Sequence, residues 1–432
     1  MLNDILTYIK QESAISDWIL TEDHSVSQEL FFVRDKLDMN RGTDILEYQL
    51  HLYLDFEKDG KACKGDAQVM ISPADSPEEI KSKIRNAVFG AGFIQNPSYE
   101  LPVFKAPENV PSLKAYDNAK DLREKYDEVH EIFFKDYPYR SQVNSCEIFA
   151  ISGTRRVISS RGCDLSYPTG KFVFELVTDD NSGSEPVEIF RDYEMKHIDL
   201  KAIEAIVTRQ LSETEGRSRA VKAKTMKNVR MILSGDDVES FLHFYLVQAR
   251  DASIYQGYSR AKLHEAFLPS DAAQKVNIRM NPFLDFSVAA APVDDEGCAL
   301  SPYVLMKDGV VENLRTEARF SSYMGIPNTG KVSCFEVEGG EKSLEEYRKG
   351  DYVELMAFSS FVMDPAAGDF GGEFRLAKWK HDGVEEWITG GSLSENIFEV
   401  QGRMLFSSEC VKRKNSIAPE AIIIDGVTIS GE

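Results

Sequence analysis

Residues 364–393, DPAAGDFGGEFRLAKWKHDGVEEWITGGSL, constrain the fold of this chain more than any other stretch. Residues 373–379 and 384–388 are two short runs of alternating character, and His381-Asp382-Gly383 between them is a turn signal. Glycine suits that turn because it reaches positive φ without a steric penalty. Gly368-Asp369-Phe370 and Gly371-Gly372 stand before the first strand, where backbone has to pass close to backbone or to a ligand. A hairpin entered in this way needs a larger β-structure to receive it.

The remaining patterns predict an α+β protein with two domains, residues 1–220 and 221–432. The first is an N-terminal α/β-type domain. Its predicted elements begin with a helix over 4–19 and strands over 27–34 and 47–56, with Asp59-Gly60 as the turn into a strand over 64–71. Ser76-Pro77-Glu78-Glu79 is a helix start: Ser supplies the cap, Pro fits the first turn, and Glu79 can reach back. That helix should end at Phe89, before Gly90. Pro97, Pro102, Pro107 and Pro111 then space an extended crossing. Leu122, Tyr126, Val129, Ile132 and Phe133 mark one helix face.

Residues 146–151 and 156–159 read as a hairpin around Gly153, 171–178 as a strand, and 200–211 as a helix broken at Glu215-Gly216. Strand-to-helix repetition within 27–211 suggests a duplicated unit. The second domain reads as mainly antiparallel β, barrel-like or sandwich-like.

Composition excludes several functions. A net charge of −21 opposes approach to phosphate backbones, and Lys222, Lys224, Lys227 and Arg230, the densest positive run, read as a solvated face. No nucleic-acid partner is expected. The N-terminus lacks a basic start followed by an apolar core, and nowhere do 18 apolar residues run together, so neither a membrane nor export is expected. Six cysteines without a C-x-x-C pair predict reduced thiols in a cytoplasmic protein.

The window 228–253, NVRMILSGDDVESFLHFYLVQARDAS, bears most directly on chemistry. A strand over 229–233 leads through Ser234-Gly235-Asp236 into a helix, whose main apolar face is Val238, Phe241, Leu242, Tyr245, Leu246 and Ala249. After it come Arg279, Asn281-Pro282, Phe283-Leu284-Asp285-Phe286, Asp294-Asp295-Glu296-Gly297 and Lys307-Asp308-Gly309. Ala318-Arg319, Gly325, Thr329-Gly330, the Gly-Asp-Phe hairpin, Thr389-Gly390-Gly391, Leu393 and Ala418-Pro419 complete the series, before strands over 422–424 and 427–431.

In order and spacing this series resembles the C-terminal half of the TldD/PmbA family, known also as modulators of DNA gyrase. The likeness covers about residues 225–432 and is to the PmbA (TldE) branch. The resemblance implies a subunit related to zinc metallopeptidases of peptide maturation and degradation. In that family TldD carries zinc on an H-E-x-x-x-H helix, and TldE is its metal-free partner. Laid on that helix, this chain keeps only the first His, as His243; Phe244 stands where the Glu would be and Gln248 where the second His would be.

One imidazole cannot hold catalytic zinc, which needs about three protein ligands, and Phe244 can neither accept nor give a proton. The expectation is therefore no catalytic residue, no metal and no cofactor in this chain, with zinc only in a TldD-like partner. His243 is expected as a hydrogen-bonded core or interface histidine, and Cys410 as a non-ligand. Asp295, Glu296, Gly297, Thr329, Gly330, Gly368, Asp369, Phe370, Thr389 and Gly390 are candidates for an interface or a peptide groove. Asp369 is expected to satisfy backbone N–H groups at its turn. Two readings stand: a partner of a TldD-like subunit acting on peptide, or a homodimeric peptide-binding module without peptidase activity. An autonomous hydrolase with unrecognised residues is the third, and would have to work without a metal.

Overall fold

The computed structural model describes residues 1–106, 111–183 and 186–431; Pro107, predicted within the extended crossing, lies outside them. Residues Asp17–Val33 and Lys36–Lys58 pair as one long antiparallel hairpin, extending the predicted strands at both ends. The first helix accordingly stops at Gln11 rather than reaching 19. Asp17 is already paired with Tyr53, and the Ser16 N–H donates to the Tyr53 carbonyl, so the sheet claims residues whose local pattern is also helical. Asp59 and Gly60, both at positive φ, turn the chain into Lys61–Ile71. Ser76 and Glu79 form the full capping box of helix Pro77–Ala91, which passes through Gly90 and ends at Gly92.

Among the described residues these strands belong to an eight-stranded sheet. Its order is Asn96–Pro97, Lys61–Ile71, Lys36–Lys58, Asp17–Val33, Gln142–Ser159, Lys171–Asp180 and Val187–Met195, with Asp164–Pro168 attached to Gln142–Ser159. All its pairings are antiparallel. The strand–helix repetition takes a definite form here. Each half of the sheet is a three-stranded unit flanked by helices, and the two units meet at their first strands, Asp17–Val33 against Gln142–Ser159. Each has its own core: Ile5, Leu50, Leu52 and Ile84 in one, Val129, Phe174, Leu176 and Val207 in the other.

Two glycines stand where the sequence pattern predicts breaks, and neither breaks an element. Gly153 does not turn a hairpin but lies inside the single strand Gln142–Ser159, where a Cβ would sit 2.8 Å from Thr169 Oγ1. Gly216 does not break its helix, which continues to Ser218; a Cβ there would meet the Trp387 ring at 2.7 Å. It is a packing glycine against the C-terminal hairpin. The apolar face at 122–133 is shared between two short helices, Asn118–Glu124 and Tyr126–Phe134.

The C-terminal half contains a closed five-stranded barrel, which decides between barrel and sandwich. Its strands are Met226–Ser234, Ala421–Ser430, Gly391–Asn396, Asp369–His381 and Tyr352–Phe358, and the last returns to the first through its one parallel pairing. The hairpin Asp369–His381 to Val384–Thr389 turns at Asp382 and Gly383, whose φ values of 48° and 79° are those of a type I′ turn. A six-stranded sheet shares one core with the barrel and with helix Asp237–Gln248, through Phe241, Leu242, Tyr245, Leu305, Phe335 and Phe374. Among the described residues no helix is long and apolar enough to cross a membrane.

Gly371 and Gly372, at φ 140° and 149°, carry the barrel's tightest backbone crossing: a Cβ on either would overlap a carbonyl oxygen, of Leu393 or of Ser360. The Leu393 carbonyl belongs to a strand paired with this one in the barrel ladder, so it cannot move without disturbing that pairing. Gly371→Ala should therefore lower unfolding free energy by more than about 3 kcal/mol in urea titration. Gly383→Asn, in open space at a φ that Asn tolerates, should change it by less than about 1 kcal/mol.

Candidate functional site

Strand Met226–Ser234 leaves the barrel through Gly235 (φ 82°) and enters helix Asp237–Gln248. The predicted apolar face is buried: Val238, Phe241, Leu242, Tyr245, Leu246 and Ala249 are each 1% exposed or less. Phe244 is as deeply buried. Its ring packs on Tyr245, Phe398 and Phe267, at centroid distances of 5.4, 5.5 and 6.0 Å, and Arg260 lies 3.7 Å over the Phe398 ring. The position that would hold a general base is part of an aromatic cluster.

Gln248 is engaged just as fully. Its Oε1 accepts from the Arg260 N–H (2.8 Å) and from Ser259 Oγ (3.0 Å), and its Nε2 donates to the Pro365 carbonyl. Ser259 Oγ also lies 2.6 Å from the Gln248 carbonyl. The amide thus ties the end of the helix to the 259–261 turn and to the loop that enters the barrel at Gly368. A neutral imidazole, with one donor and one acceptor in fixed places, could not reproduce this pattern.

Of the two places expected for His243, core or interface, its exposed position excludes the core. It stands on the open side of the helix, and among the described residues nothing hydrogen-bonds its ring. Burial, with the Arg315 charge adding to it, lowers its pKa. Among the described residues no three His, Cys, Asp or Glu side chains converge on a metal-sized site. With Phe244 in the core and Gln248 fully engaged, the residues of this helix do not fit a zinc ion.

The open side of the helix faces a cleft of about 1890 Å³. One wall is strand Val187–Met195 with helix Leu200–Ser218; the opposite wall is the barrel, through residues such as Met356, Phe358 and Lys378. Strand Val187–Met195 lines the cleft along its length and is the outermost strand of its sheet, paired only with Lys171–Asp180. Such an edge turns backbone N–H and C=O groups outward, although at its start Arg217 Nη1 donates to the Glu188 carbonyl (2.7 Å) and Gln210 Nε2 to that of Ile189 (3.1 Å). Arg191 pairs with Glu213 on this wall. Asp237 lies across from them, and burial, with Asp236 adding to it, pushes its carboxyl up to about 6 against the opposing charge of Arg191.

The other sequence candidates are placed elsewhere, and none of them lines the cleft. Asp294 closes the turn that contains Asp295, Glu296 and Gly297. Its carboxylate accepts from the N–H groups of Glu296 (2.9 Å), Cys298 (2.8 Å) and Lys331 (3.0 Å). Burial, then the Glu296 charge, raise its pKa to about 7. Glu296 accepts from the Ala318 N–H at 2.8 Å, and Lys331 bridges Asp295 and Glu296 at 3.0 and 3.2 Å. Thr329 Oγ1 donates to the Leu314 carbonyl, and Gly330 turns at φ 74° beside Leu300.

Gly368, at φ 82°, leaves room for the Phe398 ring, and Phe370 packs edge-on against Phe241. Asp369 does not satisfy the turn's backbone, contrary to expectation. Asp364 does so, accepting from the Ala366 and Ala367 N–H groups, while Asp369 is exposed and accepts from Asn396 Nδ2 at 2.7 Å. Thr389 Oγ1 donates to the Arg375 carbonyl, and Gly390 follows as an exposed turn at φ 76°. The thiol of Cys410 lies against the Val337 carbonyl.

Restoring the two missing positions should not restore a metal site. Phe244→Glu with Gln248→His buries a carboxylate and breaks the amide tie, so it should cost more than about 3 kcal/mol in urea titration and take up no stoichiometric zinc by elemental analysis. Asp237 gives a pH signature. Its folded pKa lies above the ordinary value of 3.8, so the fold prefers the protonated acid, and stability falls as pH rises from about 4 to about 6. Asp237→Asn should gain about 1 kcal/mol at pH 7.5, partial exposure and the positive helix end limiting the gain, and nothing at pH 4.

Comparison with known proteins places this geometry. A family model for the PmbA/TldA metallopeptidase C-terminal domain matches residues 226–431. No curated protein matches the chain in sequence. Among solved structures, TldE from Thermococcus kodakarensis shares the fold with a TM-score of 0.77 at 19% identity, over 100% of both chains. A candidate modulator of a DNA gyrase from Thermotoga maritima does so at 0.76 and 13% identity, again over 100% of both chains. A candidate DNA gyrase modulator from Bacteroides thetaiotaomicron gives 0.78 at 15% identity, over 99% of this chain and 97% of that one. At these identities the likeness is one of fold.

Proposed function

From a C-terminal half that belongs to the PmbA/TldD family, we propose that this chain is a TldE-like, metal-free subunit that holds extended peptide for a TldD-like zinc subunit. One observation supports the reading: helix Asp237–Gln248, which the resemblance aligns with the metal helix of TldD, stands beside an open cleft with Phe244 buried and Gln248 held by hydrogen bonds. The free edge of Val187–Met195 supplies the means of holding a peptide, by adding it as a strand with side chains directed to either wall. The partner brings the metal and the attacking water; this chain binds and orients.

Exposed turn residues such as Asp369 and Gly390 are in this reading surface offered to the partner, and the hydrogen-bonded turn at 295–297 braces the region between them and the N-terminal sheet. The gyrase designation carried by two of the structural neighbours does not extend here to direct DNA contact, which a net charge of −21 opposes.

Co-expression with a TldD-like subunit encoded in the same genome tests the reading. The expected outcome is a stoichiometric complex whose zinc resides in the partner and whose peptidase activity exceeds that of the partner alone. A homodimer that ignores the partner yet binds peptide would replace this reading with that of a stand-alone peptide-binding module.

A further inference from the structure

Lys196 follows directly on the strand that edges the cleft, and its surroundings are unusual. The residue is 3% exposed, it lines the cleft, and among the described residues its Nζ has no hydrogen-bond partner. Its carbonyl accepts from Asn118 Nδ2 at 3.1 Å, which fixes the backbone from the opposite side. The nearest carboxylate in sequence, Glu194, pairs with Lys171 at 3.2 Å and lies 3.5 Å from Lys414, and among the described residues it makes no hydrogen bond to Lys196. A buried ammonium without a counter-ion costs several kcal/mol, so such a group either takes its neutral form or gains its counter-charge from a ligand. Burial lowers the pKa of this amine, as expected of a cation lacking its partner.

Charge of both signs surrounds it: Glu194 and Glu239 line the cleft together with Lys412, Arg413 and Lys414. The segment from Lys412 to Lys414 lines the same cleft, and Lys414 reaches Glu194, two residues from Lys196. Lys412 lies 5.0 Å over the Phe286 ring, and Arg413 is spent on the carbonyls of Gly235, Ala418 and Glu420. This end of the cleft holds Lys196, Lys412 and Lys414 alongside Glu194. A peptide paired along Val187–Met195 would bring its end to Lys196, and the one charge every peptide carries at an end and that suits an ammonium is its terminal carboxylate.

We propose that Lys196 anchors the C-terminal carboxylate of a peptide lying along strand Val187–Met195. This rests on the reading of the cleft as a peptide site, and it adds polarity to that reading: the bound peptide runs parallel to the strand, with its free end at Lys196. The ion pair would form inside a partly desolvated pocket, where it discriminates strongly against a neutral terminus.

The test uses the full chain, the variants Lys196→Met and Lys196→Arg, and a fluorescent hexapeptide as free acid and as C-terminal amide. In anisotropy titrations the wild type should bind the acid at least ~10-fold more tightly than the amide. Lys196→Met should erase that difference without weakening the amide, and Lys196→Arg should retain it. Equal affinity of the two peptides for wild type overturns the anchor and leaves the cleft reading standing. Failure of both peptides to bind overturns the cleft reading. A second arm then decides the anion site alone: acetate at constant ionic strength should raise the thermal midpoint of wild type and not of Lys196→Met. Equal shifts in the two proteins, or stabilisation by inorganic phosphate and not by acetate, overturn a carboxylate site. Without ligand, Lys196→Met should be at least as stable as wild type, whereas a lysine with a purely structural role would lose stability on replacement.

Discussion

Closure of the C-terminal barrel is the constraint on which the rest of this molecule depends. Five strands can close only where two of them pass within backbone contact, and Gly371 and Gly372 provide that passage beneath Leu393 and beside Ser360. Closure fixes the loop that precedes them, and the loop presents the Pro365 carbonyl to Gln248. Through that bond the helix Asp237–Gln248 is registered against the barrel, and with it the aromatic cluster around Phe244 and the open face that carries His243. Chain entry, helix and cleft wall are thus one mechanical unit. A glutamine serves here because it donates and accepts at once.

The same economy appears in the N-terminal half, where charge does what backbone contact does in the barrel. Asp17 stands at the start of the central strand and is almost fully buried. Arg161 holds it through two bonds of 2.6 and 2.8 Å, Ser160 through a third, and Lys64 lies 3.5 Å away. These partners come from both three-stranded units, so the carboxylate is a point where the two halves of the sheet are fastened. Lys64 is in turn paired with Asp55 at 2.7 Å and lies over the rings of Tyr53 and Tyr99. A buried pair of this kind adds little net stability, but losing one partner leaves an uncompensated charge, so it favours one arrangement of the two units.

Local features with a local cause were legible in the sequence. The Asp382-Gly383 turn, the capping box at Ser76 and the helix after Gly235 each follow from a few adjacent residues, and each stands where the sequence placed it. Features set by distant partners were not. Gly153 and Gly216 read as breaks because a glycine signals a turn locally, whereas here each makes room for a neighbour far away in the chain, Thr169 and Trp387. The helix predicted to 19 lost its last turns to a strand that must pair with residues near 53. His243 reads as a core or interface residue because Phe244 and Val247 close most of the helix circumference, and only the position of the cleft shows which narrow face remains open. Lys196 carries no motif; its significance is an absence of partners, which a sequence cannot express.

Loss of the metal positions and retention of the cleft are physically linked. A zinc-bearing helix must keep a polar, hydrated face with ligands aimed at one point, and such a face is poorly suited to anchor a barrel. Here Phe244 and Gln248 give that face to packing and hydrogen bonding, and in the proposed reading the cleft beside it serves recognition. The groups that remain along it suit recognition. They are an outer strand edge, the His243 imidazole with its pKa lowered, a carboxyl shifted towards neutrality at Asp237 and the buried Lys196 amine, which among the described residues has no hydrogen-bond partner. Each of these has unsatisfied hydrogen-bonding or charge that an extended chain could complete. A wall of this kind selects and holds a backbone, and a rigid scaffold behind it keeps the entropic penalty of ordering low.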